Sequence, residues 1–286
     1  MKRWITAAAL AAAMATGPAL AEPPSAVFTD PPADAANPAR MDVLHIPSGE
    51  VAVNAIAYVP AGAGPHPVAV LLHGLPGNEK NLDLAQAMRR AGWTVVAPNY
   101  RGAWGSPGTF SFRGNLDDAR AVLAFVRDPA HAEALKADPK KIVLMGHSMG
   151  GWVTSQVAAA DPGLAGAVLI SAADMGRMGA MPEDARVKLA SENMEALAGV
   201  TAESMAAEMA TLGDASFAAA APGLAAHPLL VLTSDDGLAP GAEALAADVG
   251  RRGGKVGVVH VATDHGWNSA RIRLETEVLN WLAALP

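Results

Sequence analysis

The feature that most constrains this chain is a regular exchange of strand-length apolar runs with helical stretches. The runs HPVAVLLHG (His66–Gly74), WTVVAPNYRG (Trp93–Gly102), KIVLMG (Lys141–Gly146), LAGAVLISA (Leu164–Ala172), PLLVLTSDDG (Pro228–Gly237) and KVGVVHVATDHG (Lys255–Gly266) are nearly continuous in apolar residues. That pattern suits strands buried on both faces, which are parallel strands joined by helical crossovers. Between them, Asn81–Gly92, Asn115–Asp128, Gly150–Asp161 and Gly241–Gly253 carry helical spacing, and Ser269–Leu285 closes the chain as an amphipathic helix. Ahead of this region, Asp42–Pro60 alternates apolar and polar residues around Ser48-Gly49, a hairpin signal. The fold class is α/β, with a mostly parallel central sheet and helices on both faces.

Two stretches stand outside the rhythm. Residues 1–21 open with Lys2 and Arg3, run apolar from Trp4 to about Ala15 and end in Ala19-Leu20-Ala21. This matches a secretory signal peptide cut after Ala21, so a periplasmic or secreted protein is expected. An uncleaved N-terminal anchor is the alternative, although the run is short for a membrane span. Residues 22–40 form a Pro/Ala-rich leader, flexible or extended. The domain is expected over residues 41–286. Within it, residues 173–226, rich in Ala, Met and Glu, lie between two sheet strands. They read either as an inserted helical cap or as an excursion packed on the sheet edge.

Charge and composition exclude several classes. With 28 acidic residues against 21 basic the net charge is −7, and without Lys2 and Arg3 the balance is 28 to 19. No basic patch stands out, so nucleic acid is not an expected partner. The chain has no cysteine, which rules out disulfides and Cys-based metal sites. No cofactor and no metal are implied, and no stable membrane insertion is expected once the signal is cleaved.

The chemistry gathers around KIVLMGHSMGG (Lys141–Gly151). A strand runs directly into Gly-x-Ser-x-Gly, and a helix follows. At such a turn the serine sits on a strained backbone at the carboxyl edge of the sheet, and small neighbours let strand and helix approach. Ser148 is therefore the candidate nucleophile. Its hydroxyl needs a base, and the base needs an orienting acid. Of the three histidines after Ser148, His227 precedes a strand at its amino end. His260 lies inside a strand and reads as a packed core residue. His265 follows that strand in TDHGWNS and is the candidate base. The acid should follow the preceding strand, where Asp236 is favoured over Asp235, with Asp174 a weaker fallback. Asp264 reads as a loop or capping residue. The oxyanion of a tetrahedral intermediate needs fixed donors. The backbone N–H groups of Met149, at the start of the helix, and of Leu75, in LLHGLPGN, are the candidates. His73 is assigned a bracing role in that loop.

HGLPG, PNYRGAWGSPG, GHSMGG, DDGLAP and DHGW, in this order, resemble the α/β-hydrolase family over about Val43–Leu285. The resemblance implies the α/β-hydrolase fold, Ser148, Asp236 and His265 as a catalytic triad, and Leu75 and Met149 as oxyanion donors. The NYRG…GSPG segment is similar to the prolyl-oligopeptidase-like and dienelactone-hydrolase-like branches. Two departures weaken those finer labels: there is no cysteine nucleophile, and only about twenty leader residues stand where a prolyl oligopeptidase carries a propeller. The expected activity is that of an exported serine hydrolase acting on a small-molecule acyl substrate, a carboxylic ester or a relative. A peptidase or amidase with the same machinery, or a non-catalytic binding protein on this scaffold, are the alternatives. Trp104, Phe110 and Phe112 are candidates either for a pocket wall or for packing beneath their loop. Trp267 is expected at the pocket rim or against the last helix. The methionines of residues 175–209 fit an adaptable cap or plain core.

Overall fold

The hairpin signal at Ser48-Gly49 is realised as β1 (Arg40–Ser48) and β2 (Val51–Val59), paired antiparallel, with Gly49 at φ +62° in the turn. In this computed structural model, which describes residues 22–286, the apolar runs that follow become β3 (His66–Leu72), β4 (Thr94–Pro98), β5 (Ala137–His147), β6 (Gly166–Ile170), β7 (Leu229–Ser234) and β8 (Val256–Val261). The eight strands form one sheet in the order β1-β2-β4-β3-β5-β6-β7-β8. From β4 through β8 every neighbouring pair is parallel, and β2 meets β4 antiparallel. The signal peptide expected over residues 1–21 lies outside the described residues. Among the described residues, no helix is long and apolar enough to cross a membrane.

Alternation along the strands divides the core in two. One face of the sheet is covered by α2 (Phe112–Arg127), α4 (Met149–Ala160), α8 (Phe217–Leu224) and α9 (Ala239–Arg251), which bury Trp152, Phe112, Leu224 and Val249. The other face packs under α1 (Leu82–Arg90) and α10 (Arg271–Ala283), with Trp267 wholly buried among them. Helix α2 starts a turn earlier than the apolar spacing alone indicates. Ser111 accepts a hydrogen bond from the Gly114 N–H and caps it there. The leader is an arm laid on this second face. Residues Ser25–Val27 form a short 3₁₀ turn, and Arg90 donates to the carbonyls of Ala26 and Val27.

Order in the sheet fixes where a ligand can sit. From β3 the chain goes first to β4 on one side, then to β5 on the other. The loops that leave the carboxyl ends of β3 and β5 therefore diverge and open a crevice between them. Loop 73–81 leaves the first, and Ser148 ends the second. Residues 173–226 enter after β6 and return at β7. They contain α5 (Met175–Met178), α6 (Glu183–Ser191), α7 (Ala202–Met209) and α8. Their later part packs on the sheet layer: a side chain at Gly223 would collide with Ala159 of α4. Their middle part reaches across the crevice. Leu197 bridges to Ala103, Ala198 exchanges backbone hydrogen bonds with Gly102 and Phe110, and Glu195 accepts from Asn78.

Candidate active site

Ser148 sits between β5 and α4 at φ +57°, ψ −121°, a region that residues other than glycine avoid. The surroundings hold it there. Its N–H donates to the carbonyl of Ile170, and its carbonyl accepts from the N–H groups of Gly151 and Ala173. A Cβ on Gly146 would lie 2.1 Å from the carbonyl oxygen of Gly150, and one on Gly150 would lie 2.4 Å from that of Leu72. The glycines flanking the serine are thus needed for close approach of strand and helix. Across the crevice, a Cβ on Gly74 would lie 2.8 Å from the Cβ of Ser148, so loop 73–81 presses directly against the serine.

The two other members of the expected triad come together from the far side of the sheet. Nδ1–H of His265 donates to Oδ2 of Asp236 at 2.7 Å. The Asp236 side chain is 4 % exposed, and its second oxygen accepts from the N–H of Leu238 at 2.9 Å. Burial alone would raise the Asp236 carboxyl. The hydrogen bonds from His265 and Leu238 outweigh it and hold the group below its ordinary value. With Nδ1 committed to Asp236, Nε2 of His265 is left as the proton acceptor, the tautomer a general base needs. His265 and Ser148 line one cavity of about 280 Å³, together with Leu75, Met149, Met175, Met178, Leu189, Asn193 and Leu238. Leu75 and Met149 flank Ser148 there, and neither backbone N–H is hydrogen-bonded among the described residues.

The neighbouring candidates lead elsewhere. Asp235, next to Asp236, accepts instead from Nε2 of His260 at 3.1 Å. His260 is not a core residue. Strand β8 is the sheet's edge, so one of its faces meets solvent, and His260 stands on that face. His227 is buried at the amino end of β7 with Nδ1 on the Leu164 carbonyl. Asp174 caps α5, accepting from the N–H groups of Arg177 and Phe217. Asp264 accepts from the N–H of Asn268 and shapes the loop that carries His265. Phe110 and Phe112 are buried and stacked edge to face, whereas Trp104 is partly exposed and donates to the carbonyl of Pro76. Trp267 is wholly buried, with its indole N–H on Ser171. Of the methionines, Met175 and Met178 reach the cavity, and Met205 and Met209 lie in the core.

One residue of the site carries no sequence signal of its own. His147, just before Ser148, donates from Nε2 to the backbone carbonyl of His265 at 2.8 Å, and the two rings lie 4.6 Å apart. Burial, then the nearby His265, push its imidazole down to about 4, so it stays neutral beside His265. His73 does similar work in loop 73–81. Nδ1–H donates to the carbonyl of Gly74, and burial pushes this ring down to about 4 as well.

A model of the alpha/beta hydrolase family matches residues 69–275. Among solved structures, an esterase of Pyrobaculum calidifontis is similar, at 21% identity and a TM-score of 0.62 over 88% of each chain. A thermophilic, thermostable carboxylesterase cloned from a metagenomic library is similar at 22% identity and a TM-score of 0.62, over 92% of each chain. An acylaminoacyl peptidase of Pyrococcus horikoshii matches 86% of this chain at 18% identity and a TM-score of 0.63, through 41% of its own length.

Proposed function

The chain belongs to the α/β-hydrolase family, and from that premise we propose that it is an exported serine hydrolase cleaving a carboxylic ester. Ser148 attacks the ester carbonyl while Nε2 of His265 takes its proton. Asp236 keeps the imidazole in the right tautomer and stabilises the imidazolium. The N–H groups of Leu75 and Met149 receive the oxyanion. The imidazolium then protonates the leaving alkoxide, and water, activated by the same ring, releases the acid and regenerates Ser148. Every step uses side chains and backbone of this chain.

The observation that carries this reading is the bond between His265 and the buried Asp236, facing the cavity in which Ser148 stands on a strained turn. The cavity suggests the substrate class. Its walls of Leu75, Met175, Met178, Leu189 and Leu238 suit a small apolar acyl group rather than a charged one. Export is part of the same proposal and rests on residues 1–21.

Protein recovered from a secreting host should react with a fluorophosphonate, gaining one adduct on Ser148. Its intact mass should correspond to a chain that begins at Glu22. Ser148→Ala should fold normally, take no adduct and lose ester turnover by a factor on the order of 10⁶ in kcat. A folded, unlabelled wild-type protein would favour the non-catalytic binding protein. Faster turnover of an amide than of its matched ester would favour the peptidase.

A further inference from the structure

We propose that a second cavity, behind loop 73–81, binds a small carboxylate with a compact apolar body. This cavity, of about 380 Å³, opens between β1, β2, β4 and that loop, and shares no lining residue with the cavity of Ser148. Val43, Ile56 and Leu82 supply apolar wall, and Lys80, Asn99 and His73 supply polar groups.

Lys80 is the residue that selects for an anion. Its ammonium donates to Oδ1 of Asn99 at 2.9 Å and lies 4.3 Å from the centre of the Trp104 ring. Both contacts hold the charge in place, but neither neutralises it. Lys80 forms no ion pair among the described residues. Its neighbour Glu79 is engaged elsewhere, accepting from the N–H of Asn81 at 2.5 Å and lying 3.9 Å from Arg271. Burial pushes the Lys80 ammonium below its ordinary value, a sign that the site lacks negative charge. A half-buried cation without a counter-charge is unfavourable, and an anion entering the cavity relieves that. The apolar walls decide the rest. They reward a hydrocarbon body beside the charge, which inorganic anions lack.

The His73 side chain is buried beside this cavity, with Nδ1–H given to the carbonyl of Gly74. His73 also separates the two cavities. Its ring lines this one, while the next residue, Gly74, presses on Ser148.

Titration calorimetry on the full chain with hexanoate, 1-hexanol and inorganic phosphate tests the proposal. Hexanoate should saturate one site at least tenfold more tightly than either of the others. Lys80→Met should weaken it tenfold or more. So should Val43→Glu, which places a carboxylate on the exposed face of β1 and leaves loop 73–81 untouched. Met178→Trp, which fills the Ser148 cavity instead, should leave hexanoate binding unchanged. The proposal is overturned by the absence of saturable hexanoate binding, by phosphate binding as well as hexanoate, or by Val43→Glu binding hexanoate like the wild type. Loss of hexanoate binding in Met178→Trp alone would place the ligand at Ser148 and overturn it equally. None of these readouts depends on ester turnover.

Discussion

Two adjacent aspartates leave the end of β7, and each meets a histidine. Asp235 bonds His260 at 3.1 Å, and Asp236 bonds His265 at 2.7 Å. The pairs use the same groups, yet their surroundings differ. The Asp235 side chain is 63 % exposed and that of Asp236 only 4 %. Strand alternation explains the split. Thr233 and Asp235 lie on one side of the strand direction, and both touch His260. Ser234 and Asp236 lie on the other. Ser234 bonds Ser171, and Asp236 meets the loop after β8. An Asp–His contact alone thus does not single out the candidate triad. What sets the second pair apart is burial of the carboxylate, a backbone donor on its other oxygen, and a cavity shared with a serine.

Activity gives the largest test of this contrast. Asp236→Asn should cut kcat for a short-chain ester by about 10⁴-fold through the wrong imidazole tautomer, and Asp235→Asn should leave it within about twofold. Steady-state kinetics on the two single variants decides it. The reverse ranking would transfer the acid role to Asp235.

Acid stability tests the surroundings of the pair more finely. Burial pushes both His147, against His265, and His73, in loop 73–81, down to about 4, below the ordinary 6.5. A depressed base takes its proton in the unfolded chain first. Stability is therefore full above pH 6.5 and falls as pH drops from there towards 4, by roughly 3 kcal/mol for each ring. Asp236, a depressed acid, keeps its contribution above about its ordinary value of 3.8 and loses it only below that. Denaturant unfolding at stepped pH should show the loss above pH 4. His147→Gln should remove roughly half of it, and an unchanged slope would refute the buried-neutral reading of His147.

The smallest effect belongs to the open pair. A double-mutant cycle on Asp235 and His260 should give a coupling below about 1 kcal/mol that fades with added salt. A larger, salt-resistant value would mean that the pair is more than a surface contact.

These cases mark what could be read from sequence. The strand–helix alternation led to the sheet because period and length are local properties. The position of His265 was accessible too, since a loop after a strand end lies at the carboxyl edge of the sheet whatever the packing. His260 was misplaced because VGVVHV reads alike at the centre and the edge of a sheet, and only the strand order puts β8 outermost. His147 escaped notice because its meaning lies in a contact with a residue 118 positions away. The division of residues 173–226 was equally hidden. Alanine-rich helical sequence does not say which helix packs on α4 and which lines a cavity.

The crowding around Ser148 has a consequence for anyone wishing to retune the enzyme. Floor positions 74, 146 and 150 admit no added carbon without moving backbone or the serine itself. The shape of the cavity beside Ser148 is set instead by the side chains that line it, among them Met175, Met178, Leu189, Asn193 and Leu238.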